Sequence, residues 1–226
     1  MAGVTESTNG QDAHELLKQV VGNDEKGCSV KMYNNWAQNY ENDMAQVQYF
    51  GPKALMEHFD RLNVPKDAKV LDICAGTGAI GRELVKRGYS NLHAIDGSES
   101  MLARAKEEGN YKTFTQLVFE LDSKLPYEDA TFDCILLAGV FAPGHLPIVA
   151  LREACRVTKV GGVICWICCD PKHYEDMDSQ YKDGGFYKLL DALCEEGKWK
   201  KREGFPVPVP YIEYSDGFIM AYEVIG

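Results

Sequence analysis

Long apolar stretches are missing from this chain. Over its 226 residues, no apolar run approaches the roughly 20 residues that a membrane span requires. The first residues, Met-Ala-Gly-Val-Thr-Glu-Ser, lack the basic and apolar regions of a secretory signal peptide. We therefore predict that the protein has no membrane partner and that it is cytoplasmic.

Positive charge is scarce as well. The chain has 24 Lys and Arg against 34 Asp and Glu, a formal net charge of −10. This balance repels phosphate backbones over most of the surface, so we predict no nucleic acid partner. The basic run Lys198, Lys200, Lys201 and Arg202 is compatible with a local binding patch or with a solvated strand edge that discourages aggregation.

A disulfide framework is also absent, although the chain has eight cysteines. Most of them lie within apolar runs, where cysteine behaves as a small buried hydrophobe. Cys165 and Cys168 have the CxxC spacing of a metal or redox pair, but they fall inside a predicted strand, where residues i and i+3 face opposite sides. We therefore predict no metal site.

What the chain does contain is an alternation of short apolar runs and helical stretches. The runs predict strands at 69–74, 91–95, 116–121, 132–138 and 162–169, with helices near 79–88, 99–108 and 147–157. This alternation favours an α/β fold with a doubly wound, seven-stranded, mostly parallel sheet. Two further strands, at 200–206 and 217–225, are predicted to form a C-terminal antiparallel hairpin around a loop at 207–216.

Helices are expected on either side of this core. Apolar spacing predicts helices at 12–21, 30–44 and from Gly51 onward, and another at 186–196. The expected organisation is a single domain, 1–226, with a mobile tail at 1–10, N-terminal helices at 11–62 and the α/β core at 66–226.

A glycine-rich turn follows the first predicted strand in Val-Leu-Asp-Ile-Cys-Ala-Gly-Thr-Gly, residues 70–78. Glycines let the backbone approach a ligand closely, and the following helix presents unpaired N–H groups there. Residues 76–81 match GxGxxG, and Asp96 lies 20 residues beyond Gly76, as in an NAD-dependent dehydrogenase. Asp72 weighs against that alternative, because a carboxylate beside the turn would repel a pyrophosphate. It suits a ligand with a cationic end and ribose hydroxyls, the layout of S-adenosylmethionine.

The chain resembles the class I S-adenosylmethionine-dependent methyltransferases over roughly residues 33–169. The resemblance rests on the ordered strings Val-Leu-Asp-Ile-Cys-Ala-Gly-Thr-Gly, Ala-Ile-Asp-Gly-Ser, Phe-Asp-Cys-Ile-Leu and Arg-Val-Thr-Lys-Val-Gly-Gly. Within that superfamily the chain is most similar to the methyltransferase-like proteins encoded in the Williams–Beuren region. They share the Asp-Gly-Ser-x-x-Met-Leu stretch, the Leu-Pro segment before Phe132 and Arg-Val-Thr-Lys. Ala75 departs from the family, which commonly has glycine there, and narrows the freedom of the backbone slightly.

The resemblance implies a cofactor site and an N-terminal helical lid over it. Asp72 would engage the methionine ammonium, Asp96 the ribose hydroxyls, and Leu121 with Asp122 the adenine, while Ser98 resembles a helix cap. The implied cofactor-binding residues are Tyr33, Trp36, Tyr40, Asp72, Ala75, Gly76, Gly78, Asp96, Gly97, Ser98, Met101, Leu121, Asp122, Ala138, Gly139 and Val140. For the aromatic face of the lid, plain core packing remains an alternative to ligand contact.

The acceptor site is expected beyond the fourth and fifth strands. His145 is the candidate catalytic base, since its loop flanks the expected methyl position. The alternatives are His173 with Tyr174, or no base at all. The predicted pocket residues are Phe141, His173, Tyr174, Tyr181, Tyr211 and Tyr214, together with Trp36 and Tyr40 of the lid. They favour a small or medium-sized, partly apolar acceptor. We predict no protein partner, although a protein or RNA methyltransferase and a cofactor-binding protein with little catalysis remain alternatives.

Overall fold

The computed structural model describes residues 10–21, 28–213 and 215–226. Nearly all of the tail predicted at 1–10 lies outside these ranges, and so does Tyr214, one of the predicted pocket residues. Within the described part of the chain, no helix is long and apolar enough to cross a membrane.

Eight α-helices surround the sheet within these ranges. They are α1 (Gly10–Val21), α2 (Cys28–Trp36), α3 (Tyr40–Gln46), α4 (Gly51–His58), α5 (Ala79–Lys86), α6 (Glu99–Glu107), α7 (Ala150–Val157) and α8 (Gly185–Glu195). The single helix predicted at 30–44 is two helices, because the chain turns between Trp36 and Tyr40.

Among the residues that the structure describes, the sheet has eight strands rather than the predicted seven. They are β1 (Val70–Ile73), β2 (Leu92–Asp96), β3 (Thr113–Gln116), β4 (Phe132–Ala138), β5 (Thr158–Cys169), β6 (Trp199–Lys201), β7 (Val207–Ile212) and β8 (Ser215–Val224). Their order is β3-β2-β1-β4-β5-β8-β6, with β7 also paired to β8. The first five in this order are parallel and β8 is antiparallel to its partners, which confirms the α/β, mostly parallel fold.

The composition of the C-terminal hairpin was predicted wrongly. Its strands are β7 and β8, so the segment predicted to be the loop contains a strand. Of the region predicted as the other strand, 200–206, only Lys200 and Lys201 are extended, as part of β6. Pro208 and Pro210 weaken the strand signal, because proline cannot donate to a ladder. They alternate with Val207 and Val209, which are paired with β8, so β7 tolerates them as an edge strand.

The third strand was also misplaced. It spans Thr113–Gln116, whereas the prediction was 116–121. This strand lies at the edge of the sheet, and its residues are half-buried or exposed, so it lacks the apolar run that marks the inner strands. The apolar residues that suggested a strand, from Leu117 onward, continue in irregular structure.

The sheet separates two hydrophobic cores. One face packs against α7 and α8, and the other packs against α4, α5 and α6. Cys165 and Cys168 belong to different cores, which confirms that they face opposite sides of β5. A third cluster, around Trp36, Met44 and Val47, joins α1, α2 and α3 at the edge of the molecule where the candidate site lies.

Candidate active site

Two carboxylates stand at the carboxyl ends of neighbouring parallel strands. Asp72 lies near the end of β1, Asp96 ends β2, and both side chains are buried. The strands are in register with Asp72 opposite Ala94. In open α/β sheets, ligands bind at this edge. The fold therefore brings the two predicted carboxylates to one edge of the sheet.

The turn after β1 passes through left-handed backbone positions at Cys74, Gly76 and Gly78, with φ of 58°, 55° and 89°. A Cβ placed on Gly76 would meet no atom within 4 Å. Glycine at this position therefore leaves open space that a ligand can fill. At Gly78 a Cβ would lie 3.3 Å from the Cβ of Ala105, so this glycine lets α5 begin close to α6.

Backbone strain in this turn falls on Cys74 rather than on Ala75. Ala75 is buried and is not among the described residues with positive φ, whereas Cys74 is. Holding a side chain in the left-handed region costs on the order of 1 kcal/mol. Sequence reasoning identified Cys74 only as a small hydrophobe and attributed the narrowed backbone freedom to its neighbour.

Asp96 is oriented by the backbone around it. Its Oδ2 accepts the N–H of Gly76 and its Oδ1 accepts the N–H of Ser98, each at 2.8 Å. Burial raises the pKa of Asp96, while the N–H groups of Ser98, Gly76 and Gly97 oppose that shift. Since each carboxylate oxygen has two acceptor positions, Asp96 can still accept further hydrogen bonds from hydroxyl groups.

Asp72 has a different partner. Its Oδ2 accepts the hydroxyl of Tyr111 at 2.6 Å inside the protein. Burial raises the pKa of Asp72 to about 7; the Tyr111 hydrogen bond opposes the rise and the nearby Asp96 adds to it. A cation placed beside Asp72 would lower that pKa again. Tyr111 was not predicted, and the residues around it before β3 carry no recognisable signal.

A cleft of about 580 Å³ opens beside the turn, between the sheet edge and helices α3 and α4. This volume lies in the usual range for small-molecule sites. The predicted residues that line it are Tyr40, Asp72, Ala75, Gly76 and Ala138. Residues that the prediction missed also line it, among them Met44, Tyr49, Cys74, Thr77 and Arg82. Asp96 is bonded to Gly76 and does not itself line this cleft.

The aromatic residues of α2 and α3 form one group beside the cleft. The ring of Tyr33 lies 6.1 Å from those of Trp36 and Tyr40, and the last two are 5.1 Å apart. Trp36 is buried, and its Nε1–H donates to Asp43 at 2.7 Å. Trp36 therefore belongs to the core of the N-terminal helices, while Tyr40 also faces the cleft.

Polar contacts fasten these helices to the α/β core. The Oδ1 of Asn34 accepts the hydroxyl of Ser98 at 2.7 Å and the N–H of Ser100 at 3.1 Å. On α3, the carboxylate of Glu41 accepts the guanidinium of Arg82 at 2.6 Å. Helix α2 is thus bonded to the start of α6, and α3 is bonded to α5, on either side of the candidate site. None of these contacts was predicted.

His145 lies in the loop after β4, with both ring nitrogens engaged. Its Nδ1 is 2.9 Å from the carbonyl of Pro143, and its Nε2 is 2.9 Å from the hydroxyl of Tyr33. A carbonyl only accepts, so Nδ1 carries the proton and Nε2 accepts the phenol. Burial lowers the pKa of His145, and the bond to Pro143 opposes that shift. The result is a neutral imidazole with Nε2 as its acceptor, the form that a general base requires.

Comparisons with known proteins agree with this geometry. The model of a family described as methyltransferase domain matches residues 65–204. The chain belongs to this methyltransferase family. Methyltransferase-like protein 27 of Homo sapiens is 31% identical over 79% of this chain and 71% of its own length. Demethylmenaquinone methyltransferase of Staphylococcus haemolyticus is 26% identical over 78% of each chain.

Solved structures share the fold. A SAM-dependent methyltransferase from Aquifex aeolicus has a TM-score of 0.55 and 21% identity, covering 83% of this chain and 97% of its own. The class I assignment made from the sequence is confirmed, and S-adenosylmethionine is the cofactor of this methyltransferase. The open space at Gly76 and the buried, cleft-lining Asp72 fit that cofactor.

In this methyltransferase, the site residues predicted at the end of β4 and in the loop after it lie in two different environments. Ala138 lines the cleft, and a Cβ on Gly139 would overlap the hydroxyl of Tyr49. Val140 and Phe141 turn into the core. The ring of Phe141 packs edge-on against Trp166 and Phe186 at 5.9 and 5.3 Å. The structure therefore places Phe141 in the core, whereas the sequence predicted it in the wall of the acceptor pocket.

The aromatic residues after β5 are divided in the same way. Tyr181 is 1% exposed and stacks on Phe186 at 6.2 Å, which makes it a core residue rather than a pocket wall. His173 lies on the surface. Tyr174 is half-buried and accepts the thiol of Cys169 at 2.8 Å. Of these predicted residues, Tyr211 is the one that lies against a cleft residue, with its ring 5.4 Å from that of Tyr49.

The residues expected to meet adenine lie elsewhere. Leu121 is 68% exposed, and Asp122 follows it in an exposed turn. The end of β2 is instead covered by Leu117, whose N–H donates to the carbonyl of Asp96 at 2.9 Å, and by Val118 beside Gly97. Because the third strand was predicted too far along the chain, the residues expected to meet adenine at its end were also placed several residues too late. Ser98 is confirmed as the cap of α6, where its hydroxyl accepts the N–H of the buried Met101.

Proposed function

We propose that this methyltransferase modifies a small or medium-sized, partly apolar acceptor by in-line methyl transfer. One observation carries the proposal: a neutral His145, with Nε2 as acceptor, is joined to the aromatic group that borders the cleft. Tyr40 and Tyr49 line the cleft, and the ring of Tyr33 packs against that of Tyr40, which favours an acceptor with an apolar or aromatic surface.

The two carboxylates would hold opposite ends of the cofactor. Asp72 would accept the methionine ammonium, and Asp96 would accept ribose hydroxyls with the lone pairs that Gly76 and Ser98 leave unused. When bound, S-adenosylmethionine supplies an electrophilic methyl group on a sulfonium leaving group. The protein has to orient the acceptor in line with that methyl and exclude water, and orientation is worth effective molarities of about 10⁵–10⁸ M.

His145 would take a proton from an oxygen or nitrogen nucleophile at Nε2. The hydrogen bond to the Pro143 carbonyl keeps the proton on Nδ1 and leaves Nε2 as the acceptor. The opposite tautomer would break this bond. The Tyr33 hydroxyl occupies Nε2 in this structure. An acceptor would therefore displace the phenol or lose its proton through it, with the phenol passing its own proton to Nε2.

The decisive experiment is a methyl-transfer screen that measures S-adenosylhomocysteine release. The library should contain metabolites with hydroxyl, amine, thiol and acidic carbon groups. It should include phenols and hydroquinones because one relative is a demethylmenaquinone methyltransferase. A set of peptides and proteins tests the alternative substrate class. Turnover confined to proteins would overturn the proposal, and so would binding of S-adenosylmethionine without turnover on any compound.

Once an acceptor with an ionisable proton is found, His145→Gln tests the base. We expect kcat to fall by about 10²–10⁴-fold, the usual contribution of a positioned base, with little change in cofactor affinity. His173→Gln tests the alternative base in the same assay, since this exposed histidine also follows a strand at the same edge; we expect it to keep the wild-type kcat. Full turnover by His145→Gln would remove the catalytic role and leave His145 as a support for Tyr33.

A further inference from the structure

The third glycine of the GxGxxG match has a contact that a dinucleotide site does not explain. A Cβ on Gly81 would overlap the ring of Tyr111. Without it, the phenol lies directly over α5, where its oxygen accepts the Gly81 N–H at 3.0 Å. Tyr111 is 7% exposed, so this arrangement is inside the protein.

The direction of the next hydrogen bond follows from the first. The hydroxyl of Tyr111 already accepts the Gly81 N–H, and its single proton points at Oδ2 of Asp72, 2.6 Å away. An ionised carboxylate only accepts, so this is a charge-assisted bond that favours the charged form of Asp72. Asp72 also lines the cleft, which leaves its Oδ1 as the oxygen that would face a ligand.

We propose that Tyr111 is a positioning residue for cofactor binding: its phenol orients Asp72 and keeps that carboxylate ionised to receive the methionine ammonium. Gly81 makes the arrangement possible, because any side chain there would push the phenol away. The proposal rests on the role of Asp72 given under the proposed function. It assigns the third glycine to a tyrosine contact instead of to the close packing of helix on strand that this glycine serves in a dinucleotide site.

The surroundings of Asp72 make the charged form hard to keep. Burial and the carboxylate of Asp96 both raise the pKa of Asp72, while Tyr111 opposes them. Cys74, the remaining titratable group in this turn, is a protonated thiol because burial raises its pKa well above the ordinary value. The charge of Arg82 on α5 favours a lower pKa for the phenol of Tyr111, and Arg82 itself forms an ion pair with Glu41. The phenol is therefore the donor to Asp72 that favours its charge in the absence of cofactor.

The test compares cofactor affinity against pH in the wild-type protein and in Tyr111→Phe. Without the hydroxyl, Asp72 should hold its proton to higher pH. The ratio of variant to wild-type Kd should then be about tenfold at pH 6 and fall towards one by pH 9. Titration of the ligand cancels in this ratio. A ratio that is independent of pH would mean a purely structural role and would overturn the proposal.

Tyr89→Phe is the matched control. Tyr89 is another buried phenol, but its hydroxyl donates to the carbonyl of Val64, away from the cleft. Its Kd ratio should stay near one at every pH. If Tyr111→Phe fails to fold, 3-fluorotyrosine at position 111 keeps the shape and makes the hydroxyl a stronger donor. It should bind more tightly than wild type at pH 6 and equally at pH 9, and no difference at pH 6 would contradict the proposal.

Asp72→Asn separates this proposal from the one on which it rests. If that variant binds the cofactor as wild type does, the assignment of Asp72 fails, and the role of Tyr111 fails with it. If Asp72→Asn loses affinity while the Tyr111→Phe ratio stays near one, the carboxylate is confirmed and Tyr111 alone is excluded.

Discussion

At the scale of single residues, Asp72 and Asp96 show how the same side chain acquires different properties. Backbone N–H groups from Gly76, Gly97 and Ser98 stabilise the charge of Asp96. Asp72 has a phenol partner and its pKa rises to about 7, chiefly because it is buried. The carboxylate expected at the ribose is therefore held by peptide groups, and the one expected at the ammonium depends on a single side chain.

The first residue-scale prediction concerns Asp96→Asn. Replacing the carboxylate by an amide keeps one acceptor oxygen but removes the charge. Hydrogen bonds to a charged group are worth about 1.5–3 kcal/mol, so affinity for S-adenosylmethionine should fall at least about tenfold. Calorimetric titration measures this directly. Asp133→Asn is the control, because Asp133 accepts the N–H of Lys69 at 2.8 Å yet lies at the other end of the sheet. Equal affinities for the two variants would exclude Asp96 from the site.

At the scale of elements, the N-terminal helices are joined to the core by a few polar bonds and an aromatic cluster. Helix α2 reaches the cap of α6 through Asn34, and it reaches the loop after β4 through Tyr33 and His145. The hydroxyl of Ser98 donates to Asn34, and the N–H of Ser98 donates to Asp96. The predicted lid is thus connected by hydrogen bonds to the predicted ribose carboxylate.

Removing that connection should loosen the lid. In Asn34→Ala the hydroxyl of Ser98 and the N–H of Ser100 lose their partner, at about 1 kcal/mol for each net hydrogen bond. We expect S-adenosylmethionine to dissociate about 3–10 times faster and α2 to exchange amide hydrogens faster. Stopped-flow displacement and hydrogen exchange measure these rates. The exposed neighbour Asn35, changed to alanine, is the control; identical behaviour of the two variants would contradict a lid fastened at Asn34.

At the scale of the whole molecule, two buried groups make stability depend on pH in opposite directions. Burial, with Lys69 and Lys112 nearby, lowers the pKa of His93 to about 4. Its contribution is therefore complete above the unfolded value of about 6.5 and is lost as the pH falls towards 4. Asp72 has a raised pKa, so without cofactor its contribution is complete below about pH 4 and is lost as the pH rises through 7.

His93→Gln isolates the first of these effects. The free energy of unfolding of wild type minus that of the variant should increase from pH 4 to 6.5 and be constant above. The slope is at most about 1.4 kcal/mol per pH unit, the value for one proton. Urea unfolding of the cofactor-free proteins at several pH values gives the difference. A flat difference across this range would show that His93 titrates normally in the folded protein.

Most of the parallel core was predictable from local patterns. Apolar runs marked β1, β2, β4 and β5 because these strands are covered by helices on both faces. The edge strands β3 and β7 were not predicted correctly. β3 is half-exposed and β7 contains Pro208 and Pro210, so neither carries the apolar signal of an inner strand. The break between α2 and α3 was not predicted either, since apolar spacing continues across it.

For the candidate site, local patterns pointed to residues on continuous segments, such as Asp72, Gly76 and Asp96. They missed Tyr111, Asn34 and Arg82, because each acts through a partner at least 39 positions away along the chain. They also assigned Phe141 and Tyr181 to the pocket, since an aromatic residue near a strand end looks the same whether it faces ligand or core.

By itself, the sequence of this methyltransferase determined its class, because a strand, a glycine turn and two acidic strand ends impose their chemistry locally. Only the tertiary structure decided the tautomer of His145, the partner of Asp72 and the fastening of α2. Each of these depends on atoms that meet through folding, and burial then sets the charge that each group carries.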